Sequence, residues 1–359
     1  MSVDEEPTTR SPSKHDDSVG HYTGGPGSVL QDRYRLVREV GLGTFGRVVE
    51  CVDLMDRRST KVAIKIVRNV KRYHESALIE AKVLRSINSR GGRGVSHCVY
   101  MYEHFTFSGH LCIVFEELGP SLYDFSKQQN HRPFPMICIQ DFTIQLLETL
   151  EFLHGIRLIH TDLKVENILL FSDRQANYHG RRIPQSTRIK VIDFGGACYN
   201  DEKKSSIINT RQFRAPEVIL QTGWSMPSDM WSLGCILAEL YIGELLFATH
   251  DNLEHLALIE RVVGRFPRRM LKRAREESDV AREAFGASGL HRLGNVLPAE
   301  SLSYVKQAKP LELLSKHTDD DWFVDLLRMI LVIDPKERAT AHECLRYLSS
   351  IRMDRCNAL

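Results

Sequence analysis

Several features that mark other protein classes are missing from this sequence, and each absence excludes one class. None of the eight cysteines forms a Cys-x-x-Cys pair, and their neighbours are mostly apolar, so we expect reduced core thiols rather than a disulfide framework or a zinc site. No apolar run approaches the roughly 18 residues of a membrane span, and the N-terminus has no signal-peptide pattern. We therefore expect a soluble, intracellular protein.

An excess of one charge sign is also absent. Lys and Arg total 48 and Asp and Glu total 46, which gives a net charge of +2. We therefore expect no direct nucleic-acid binding through bulk charge, although local basic patches are not excluded. The chain has 359 residues, of which 42% are hydrophobic. It is long enough to bury a large core in two lobes or domains without a structural metal.

Large apolar residues are scarce in residues 1–30, where Ser, Thr, Pro, Gly, Asp and His dominate, so we expect a disordered tail there. Strand-like alternation is typical of 31–118, whereas helical patterns dominate 119–348, with an insert at 265–310 and a C-terminal tail at 349–359. The predicted helices span 74–87, 137–154, 228–242, 253–263, 320–332 and 341–348. A small β part followed by a large α part predicts an α+β fold.

A glycine-rich motif, GLGTFGRV at residues 41–48, is the first pattern with chemical content. Glycines at this spacing let backbone N–H groups approach phosphate oxygens. The motif also resembles a dinucleotide-binding fingerprint, and it is compatible with a simple turn. Because the β-forming residues Val48, Val49 and Val52 follow it where a dinucleotide fold would begin a helix, a hairpin covering a nucleotide fits better.

Lys65 ends an alternating apolar stretch, Val62-Ala63-Ile64-Lys65. Lysine is rarely buried without a partner, so an inward-facing Lys65 needs an anion. Glu80, 15 residues later in a predicted helix, is the candidate partner. A solvent-facing edge strand is the alternative interpretation.

Three further motifs follow in order: HTDLKVEN at 160–167, DFG at 193–195 and APE at 215–217. The first places a carboxylate, Asp162, close to the cation Lys164 and the amide Asn167. A base near a hydroxyl, a cation near phosphate and a metal-binding amide are the parts that phosphoryl transfer uses. Asp193 follows a predicted strand and is a second candidate metal ligand.

With these five motifs in order, the sequence resembles the eukaryotic protein kinases over about residues 34–348. The resemblance implies a bilobal fold, a small mainly β N-lobe with one regulatory helix and a large mainly α C-lobe, with ATP in the cleft. Asp162 would act on the substrate hydroxyl, Lys164 on the transferred phosphoryl group, and Lys65, paired with Glu80, on the α- and β-phosphates. The implied magnesium ligands are Asn167 and Asp193. The implied nucleotide-binding residues are Gly41, Leu42, Gly43, Thr44, Phe45, Gly46, Val48, Ala63, Lys65, Phe115, Glu116 and Leu118.

The stretch EHLALIERVVG at 254–264 resembles the signature of the LAMMER, or CDC-like, dual-specificity kinases of the CMGC group, which typically reads EHLAMMERILG. Thr161 agrees with that family's HTD motif, where most kinases have HRD. Val165 and Phe213 depart from it, since the family usually has proline and tyrosine there, and residues 276–310 match its insert poorly. Glu217 would form a buried structural pair with Arg338.

The resemblance implies Ser/Thr phosphorylation of basic, Arg/Ser-rich nuclear proteins such as splicing factors, with tyrosine autophosphorylation. Glu166 is a candidate contact for a substrate arginine, as are Glu117 and Asp124, although all three fit ordinary surface carboxylates. We expect a monomer with protein substrates, located in the nucleus and also in the cytoplasm. A chromosome-segregation or cell-cycle kinase with the same chemistry, and an inactive nucleotide-binding scaffold, are the alternatives.

A basic cluster at 265–275 is compatible with nuclear localisation, with docking of an acidic or phosphorylated partner, or with a solvated helix face, which we favour. Thr161 has its own consequence, because the arginine usual at this position clamps a phosphate on the activation segment. Without it, we expect activity that does not depend on an upstream kinase.

Overall fold

The computed structural model describes residues 16–91, 96–202, 205–285, 297–315 and 320–357, with side chains as far as residue 351. The chain divides into two compact units, residues 1–119 with 190–196, and residues 120–189 with 197–359. The division after Gly119 lies next to the lobe boundary that we placed after residue 118.

The first unit is built on a six-stranded antiparallel sheet in the order β1-β2-β3-β4-β6-β5. Its strands are β1 (Val29–Leu30), β2 (Tyr34–Gly43), β3 (Gly46–Asp53), β4 (Lys61–Val67), β5 (Met101–Phe107) and β6 (His110–Glu116). Alternation of apolar and polar residues puts Tyr34, Leu36, Val49, Ile64 and Val114 in one buried cluster. This cluster fixes the register of the strands that carry the predicted nucleotide-binding residues.

One long helix, α1 (Lys71–Gly91), belongs to this unit. Its buried side chains recur every three or four residues, as at Ala77, Ala81, Leu84 and Ile87. Glu80 lies on the same buried face. A charge on the buried face of an amphipathic helix needs a partner, so the helix pattern itself points to an ion pair.

Residues 16–30, which we expected to belong to a disordered tail, pack against the first unit. Asp16 accepts a hydrogen bond from Nε2 of the buried His110 at 2.7 Å, and Tyr22 is 4% exposed within the core cluster. Composition predicted disorder because few residues here are apolar, but long-range contacts such as these two hold the segment against the first unit. Residues 1–15 lie outside the described residues.

Residues 190–196, which we assigned to the larger lobe, belong to the first unit. The reason is a backbone connection, in which the Val99 N–H donates to the Val191 carbonyl at 2.9 Å and the Val191 N–H donates to the His97 carbonyl at 2.8 Å. Lys190 adds a hydrogen bond from Nζ to the Cys98 carbonyl at 2.9 Å. The DFG motif is therefore attached to the unit that also contains Lys65.

The second unit is mainly helical. Its helices are α2 (Leu122–Gln128), α3 (Met136–Gly155), α4 (Pro216–Ile219), α5 (Pro227–Ile242), α6 (Asn252–Val262), α7 (Arg268–Glu277), α8 (Asp279–Phe285), α9 (Ala299–Gln307), α10 (Asp321–Ile330) and α11 (Ala341–Asn357). The remaining strands are short: β7 (Leu158–Ile159), β8 (Ile168–Leu170), β9 (Gln175–Tyr178), β10 (Arg181–Pro184), β11 (Ile189–Val191) and β12 (Cys198–Tyr199). All of them belong to the second unit except β11, of which residues 190 and 191 belong to the first. Helix α11 continues to Asn357, where we expected a tail from residue 349.

Helix α5 is the centre of the second unit and is buried nearly all round, as its apolar sequence predicts. Pro227 starts it, in the position where a missing N–H costs nothing. Gly243 ends it with a φ of 89°, and its N–H donates to the Glu239 carbonyl at 2.8 Å. The two charged residues of this helix, Asp229 and Glu239, therefore lie in an apolar environment.

No helix in the described part of the chain is long and apolar enough to cross a membrane. The cysteines in the same part are free thiols, and all except the half-buried Cys198 are buried. Burial raises the pKa of the Cys98 and Cys112 thiols to about 12. These cysteines therefore act as core residues, as the sequence predicts.

Candidate active site

The sheet register places four of the predicted nucleotide-binding residues on one face of the first unit. Lys65 lies directly opposite Val48 of β3, and Ala63 lies opposite Phe115 of β6. Residues directly opposite one another share a face, and so do residues two apart on one strand. Val48, Ala63, Lys65 and Phe115 therefore line one surface, although they come from three strands.

Lys65 reaches from this surface to helix α1. Its Nζ lies 2.8 Å and 3.1 Å from the two carboxylate oxygens of Glu80. Burial disfavours the charged lysine, but the carboxylates of Glu80 and Asp193 outweigh this and raise the pKa of the Lys65 ammonium. Lys65 is therefore a fixed cation at neutral pH, and the predicted pair with Glu80 is present.

The glycine-rich motif forms the tight hairpin between β2 and β3, in which Gly43 pairs with Gly46. A Cβ at Gly46 would lie 2.2 Å from the carbonyl oxygen of Ile66, so this glycine is required for close packing on β4. Gly41 has open space around the position of its missing Cβ. At the turn, Thr44 and Phe45 accept hydrogen bonds from Arg68 through their carbonyl oxygens, at 3.0 Å each.

The residues predicted to meet adenine lie at the end of β6. Glu116 is bound within the first unit, because its Oε1 accepts a hydrogen bond from the Tyr100 N–H at 2.8 Å and lies 3.3 Å from Nζ of Lys190. Its side chain is thus a structural anchor, which leaves the backbone of residues 116–118 as the part available to a ligand. Leu118 is half-buried, and Leu42 on the glycine-rich strand is 64% exposed.

Asp193 has a left-handed backbone with a φ of 64°, a conformation that costs a non-glycine residue energy and that clusters at functional sites. The next residue anchors this turn, because the Phe194 side chain is buried and only 1% exposed. A Cβ at Gly195 would lie 3.3 Å from Oδ1 of Asp193 and 3.6 Å from Oε2 of Glu80. The DFG turn thus brings Asp193 into the same charged cluster as Lys65 and Glu80.

The catalytic-loop motif forms a second cluster, in the larger unit. Lys164 Nζ donates to Asp162 Oδ2 at 2.9 Å and to Thr210 Oγ1 at 3.0 Å. Thr210 in turn donates to Asp162 Oδ1 from both its N–H, at 2.9 Å, and its hydroxyl, at 2.8 Å. The catalytic-loop motif pointed to Asp162 and Lys164, but no motif pointed to Thr210, which holds both side chains.

Burial would raise the pKa of the Asp162 carboxyl, but Lys164 and the two hydrogen bonds from Thr210 outweigh this, and the net pKa lies below the usual value. Asp162 is therefore a carboxylate at neutral pH. An ionised, hydrogen-bonded carboxylate is a weak base but a good acceptor for a substrate hydroxyl. It suits orientation of the hydroxyl and late acceptance of its proton.

Two further residues hold this loop in place. Asn167 Nδ2 donates to the Asp162 carbonyl at 2.9 Å, which leaves its Oδ1 as the atom suited to a metal. Asp229 of α5 accepts hydrogen bonds from the His160 N–H at 2.9 Å and the Thr161 N–H at 3.0 Å. These bonds hold Thr161 at a φ of 71°. The sequence showed Asp229 only as a lone acid within an apolar helix.

Comparison with known proteins agrees with this geometry. The protein kinase domain family matches residues 34–348. The chain belongs to the protein kinase family. Serine/threonine-protein kinase AFC2 of Arabidopsis thaliana is 43% identical over 352 residues, a match that covers 94% of this chain and 81% of AFC2. Dual specificity protein kinase CLK2 of Homo sapiens is 41% identical over 347 residues, covering 94% of this chain and 68% of CLK2.

A crystal structure of a kinase domain shares the fold with a TM-score of 0.84 at 38% identity, covering 92% of this chain and 99% of that one. The resemblance to the LAMMER (AFC) and CDC-like kinases of the CMGC group, and the kinase fold with a curled β-sheet N-lobe and a helical C-lobe, are thus confirmed. A kinase of this type uses ATP and acts on protein substrates.

The residues predicted to hold magnesium fit that ion by their chemistry. Asn167 offers an amide oxygen and Asp193 a carboxylate, and hard oxygen ligands are those that Mg²⁺ prefers. Within the described residues there is no group of three or more His, Cys, Asp or Glu side chains that would hold a different metal. A magnesium ion would offset the negative charge of the ATP phosphates.

The kinase also shows the structural pair expected between the APE motif and the region before α11. Both carboxylate oxygens of Glu217 accept hydrogen bonds from Arg338, at 2.8 Å and 2.9 Å, and both side chains are 0% exposed. The Arg338 guanidinium also lies 5.1 Å from the centre of the Trp231 ring. The pair is structural, as predicted.

The family signature at 254–264 is mostly core packing in helix α6. His255 is fully buried, burial lowers its pKa to about 3, and its ring lies 5.4 Å from that of Phe247. Glu254 accepts a hydrogen bond from the Thr249 hydroxyl at 2.6 Å, and Arg261 Nε donates to the Ala308 carbonyl at 3.0 Å. The motif therefore identifies the kinase without taking part in its chemistry.

Glu239 is the second functional candidate that sequence reasoning missed. It is a half-buried acid on α5, and no described residue hydrogen-bonds to its buried Oε2. Burial, together with the negative charge of Glu166, raises the pKa of the Glu239 carboxyl to about 7. The signal available in the sequence was a single glutamate late in an otherwise apolar helix.

The other two predicted arginine contacts already have partners. Asp124 accepts a hydrogen bond from the Ser121 hydroxyl at 2.7 Å where α2 begins, and Glu117 lies 3.8 Å from Nζ of Lys61. Glu166 is exposed, and its negative charge contributes to the raised pKa of Glu239. No ion pair joins Glu166 or Glu239 to a cation within the described residues, and Oε2 of Glu239 is buried without a hydrogen bond, so these two acids remain candidates for binding a substrate cation.

Proposed function

We propose that this kinase transfers the γ-phosphoryl group of ATP to Ser and Thr in basic, Arg/Ser-rich protein substrates. Asp162 orients the substrate hydroxyl, whose oxygen forms a bond to the γ-phosphorus as the bond to ADP breaks, and the proton passes to Asp162. Lys164 neutralises charge on the transferred group. Lys65, positioned by Glu80, binds the α- and β-phosphates.

The remaining roles follow the same proposal. Gly41, Gly43 and Gly46 form the cover over the phosphates, while Val48 and Ala63 pack against adenine. Residues 115–118 contribute the bulky Phe115 and the backbone that binds the adenine edge. Asn167 and Asp193 hold Mg²⁺, which stabilises negative charge on the phosphates.

The preference for basic substrates rests on one observation, the paired carboxylates Glu166 and Glu239. Burial and the negative charge of Glu166 both raise the pKa of Glu239, and a cation between the two acids would offset their repulsion. A guanidinium is the substrate group suited to this, because it stays charged and donates to both carboxylates. We therefore assign the binding of a substrate arginine next to the acceptor serine to this acidic pair in the larger unit.

ATP-dependent labelling of an arginine-rich serine peptide tests the function directly. Asp162→Asn removes the carboxylate but keeps its size, and we expect labelling to fall by at least a hundredfold. Asp173→Asn, an exposed carboxylate in the same unit, is the matched control and should leave labelling unchanged. Nucleotide binding without any labelling by the unaltered kinase would instead indicate the inactive scaffold.

The biological setting of the proposal is nuclear, with splicing factors as substrates and autophosphorylation on tyrosine. Tyr199 is the tyrosine within the segment between DFG and APE, so mass spectrometry of the purified kinase tests the tyrosine activity there first. A phosphoproteome recorded minutes after acute inhibition separates splicing proteins from chromosome-segregation proteins as substrates.

A further inference from the structure

A β-hairpin that the sequence did not predict belongs to the larger unit. Strands β9 and β10 pair with Arg181 opposite Tyr178 and Arg182 opposite Asn177. The two turn residues, His179 and Gly180, have φ values of 48° and 76°, as a type I′ turn requires. This turn holds two adjacent arginines at a fixed place.

The loop between α2 and α3 faces this hairpin and is also fixed. Phe134 stacks on Phe125 with ring centres 5.6 Å apart, and the Phe134 N–H donates to the Leu240 carbonyl at 2.9 Å. Gly243 packs closely against the same loop, since a Cβ at this position would lie 2.5 Å from the His131 carbonyl oxygen. These contacts hold the backbone of the loop that carries Arg132.

A cavity of about 210 Å³ lies between the loop and the hairpin. Pro133, Pro135 and the Phe125–Phe134 stack form its apolar part, while Arg132, Arg181 and Arg182 supply its charge. The described residues that line it include no acidic side chain. All three arginines are exposed, and none of them has an ion pair within the described residues.

Three arginines that line one small concavity favour an anion with several oxygens. A phosphate monoester carries nearly two charges and accepts bidentate hydrogen bonds from arginine, whereas a single carboxylate carries one charge. The volume is below the roughly 300 Å³ at which pockets for small-molecule cofactors begin, so it suits one phosphorylated side chain. The proline rings beside it offer apolar contact to the neighbouring peptide.

The basic cluster at 265–275 is a weaker candidate for the same ligand. Arg269 in that cluster is already paired, with Asp334 at 2.9 Å and with Glu337 at 2.8 Å. The acids Glu276 and Glu277 follow directly. The hairpin cavity therefore has the larger uncompensated positive charge.

We propose that Arg132, Arg181 and Arg182 form a docking site for a phosphoserine- or phosphothreonine-bearing segment of a protein partner. The site is formed by the larger unit alone, without any residue to which we assign a role in phosphoryl transfer. Docking here tethers an already phosphorylated protein to the kinase, and raises the effective concentration of its other acceptor sites.

Fluorescence anisotropy with matched peptides tests the proposal on the full chain. One peptide carries phosphoserine, and its twin carries serine at the same position. We expect the phosphopeptide to bind at least tenfold more tightly, and Arg181→Glu/Arg182→Glu to abolish that preference. The matched control, Arg265→Glu/Arg268→Glu, reverses the same charge on exposed arginines elsewhere and should keep the preference.

Turnover of a short unphosphorylated arginine-rich peptide should be unchanged in Arg181→Glu/Arg182→Glu, which shows that the variant is folded and that docking is separate from catalysis. Equal binding of both peptides would overturn the proposal, and so would a preference that survives in the hairpin variant or disappears only in the control. Displacement of the phosphopeptide by inorganic phosphate of equal affinity would also overturn it, because the site would then recognise the free ion and no peptide.

Discussion

The paired acids Glu166 and Glu239 lead to a prediction about pH and substrate charge. Replacing Glu239 by Gln keeps the size of the side chain and removes its negative charge. A hydrogen bond to a charged group contributes about 1.5–3 kcal/mol, which corresponds to a factor of about 10 to about 160 in kcat/KM. We therefore expect Glu239→Gln to lower kcat/KM for an arginine-rich peptide within this range.

The pH dependence follows from the raised pKa of about 7. A carboxyl with this pKa is ionised to about one-tenth at pH 6 and to about nine-tenths at pH 8. Because only the anion attracts arginine, kcat/KM should rise several-fold between these pH values. Once bound, the guanidinium lowers the pKa of Glu239, so kcat at saturating peptide should show much less of this rise.

The assay compares an arginine peptide with a twin in which citrulline, an uncharged analogue, replaces every arginine. The ratio of the two kcat/KM values cancels any effect of pH on Asp162 or ATP. Glu244→Gln, which removes an exposed charge just beyond α5, is the matched control and should keep the ratio. An unchanged ratio in Glu239→Gln, or a ratio that is flat from pH 6 to pH 8, would refute the role given to the pair.

Three other predictions concern stability and regulation. Glu217→Gln leaves Arg338 charged and buried, so we expect a loss of about 3–5 kcal/mol in the free energy of unfolding, measured by urea denaturation; a loss below 1 kcal/mol would contradict the buried pair. Asp16→Ala leaves the buried His110 without its carboxylate partner and should cost about 1–3 kcal/mol in the same assay, whereas an unaltered midpoint would show that the N-terminal segment adds nothing. Because Thr161 replaces the phosphate-binding arginine, phosphatase-treated kinase should keep most of its peptide activity, and near-complete loss would contradict this.

The last of these predictions has a physical basis in the larger unit. The Asn209 N–H donates to the Thr161 carbonyl at 2.9 Å, and Arg214 donates to the carbonyl oxygens of Ile208 and Asn209, at 2.9 Å each. Hydrogen bonds between neighbouring chain segments thus order this part of the activation segment.

The sequence allowed prediction of the fold and of the central charged residues because these lie in contiguous motifs. Lys65 and Glu80 were paired correctly, since an apolar strand and an amphipathic helix each placed one charge on a buried face. The strands β4 and β6 lie within residues 31–118, where the alternation of apolar and polar residues predicted strands.

Functional residues that depend on distant parts of the chain were not predictable in this way. Thr210 and Glu239 act on the catalytic loop only because the chain folds back on itself, and neither belongs to a local pattern of charge. The β9–β10 hairpin lacks the alternation of a half-buried sheet, since its residues are mostly exposed. Asp16 finds its partner His110 at a separation of 94 residues, which composition alone cannot reveal.

The packed N-terminal segment has a practical consequence for how this kinase is produced. Arg47 donates to the Gly24 carbonyl at 3.0 Å, and Arg68 donates to the Val19 carbonyl at 2.9 Å and to the Thr44 carbonyl at 3.0 Å. Residues 16–24 thus support strand β3 through Arg47 and, through Arg68, the glycine-rich turn at Thr44. A recombinant protein that starts at residue 34, where the match to the family begins, would lack this support, and inhibitor affinities measured on it would describe a looser nucleotide cover than that of the longer chain.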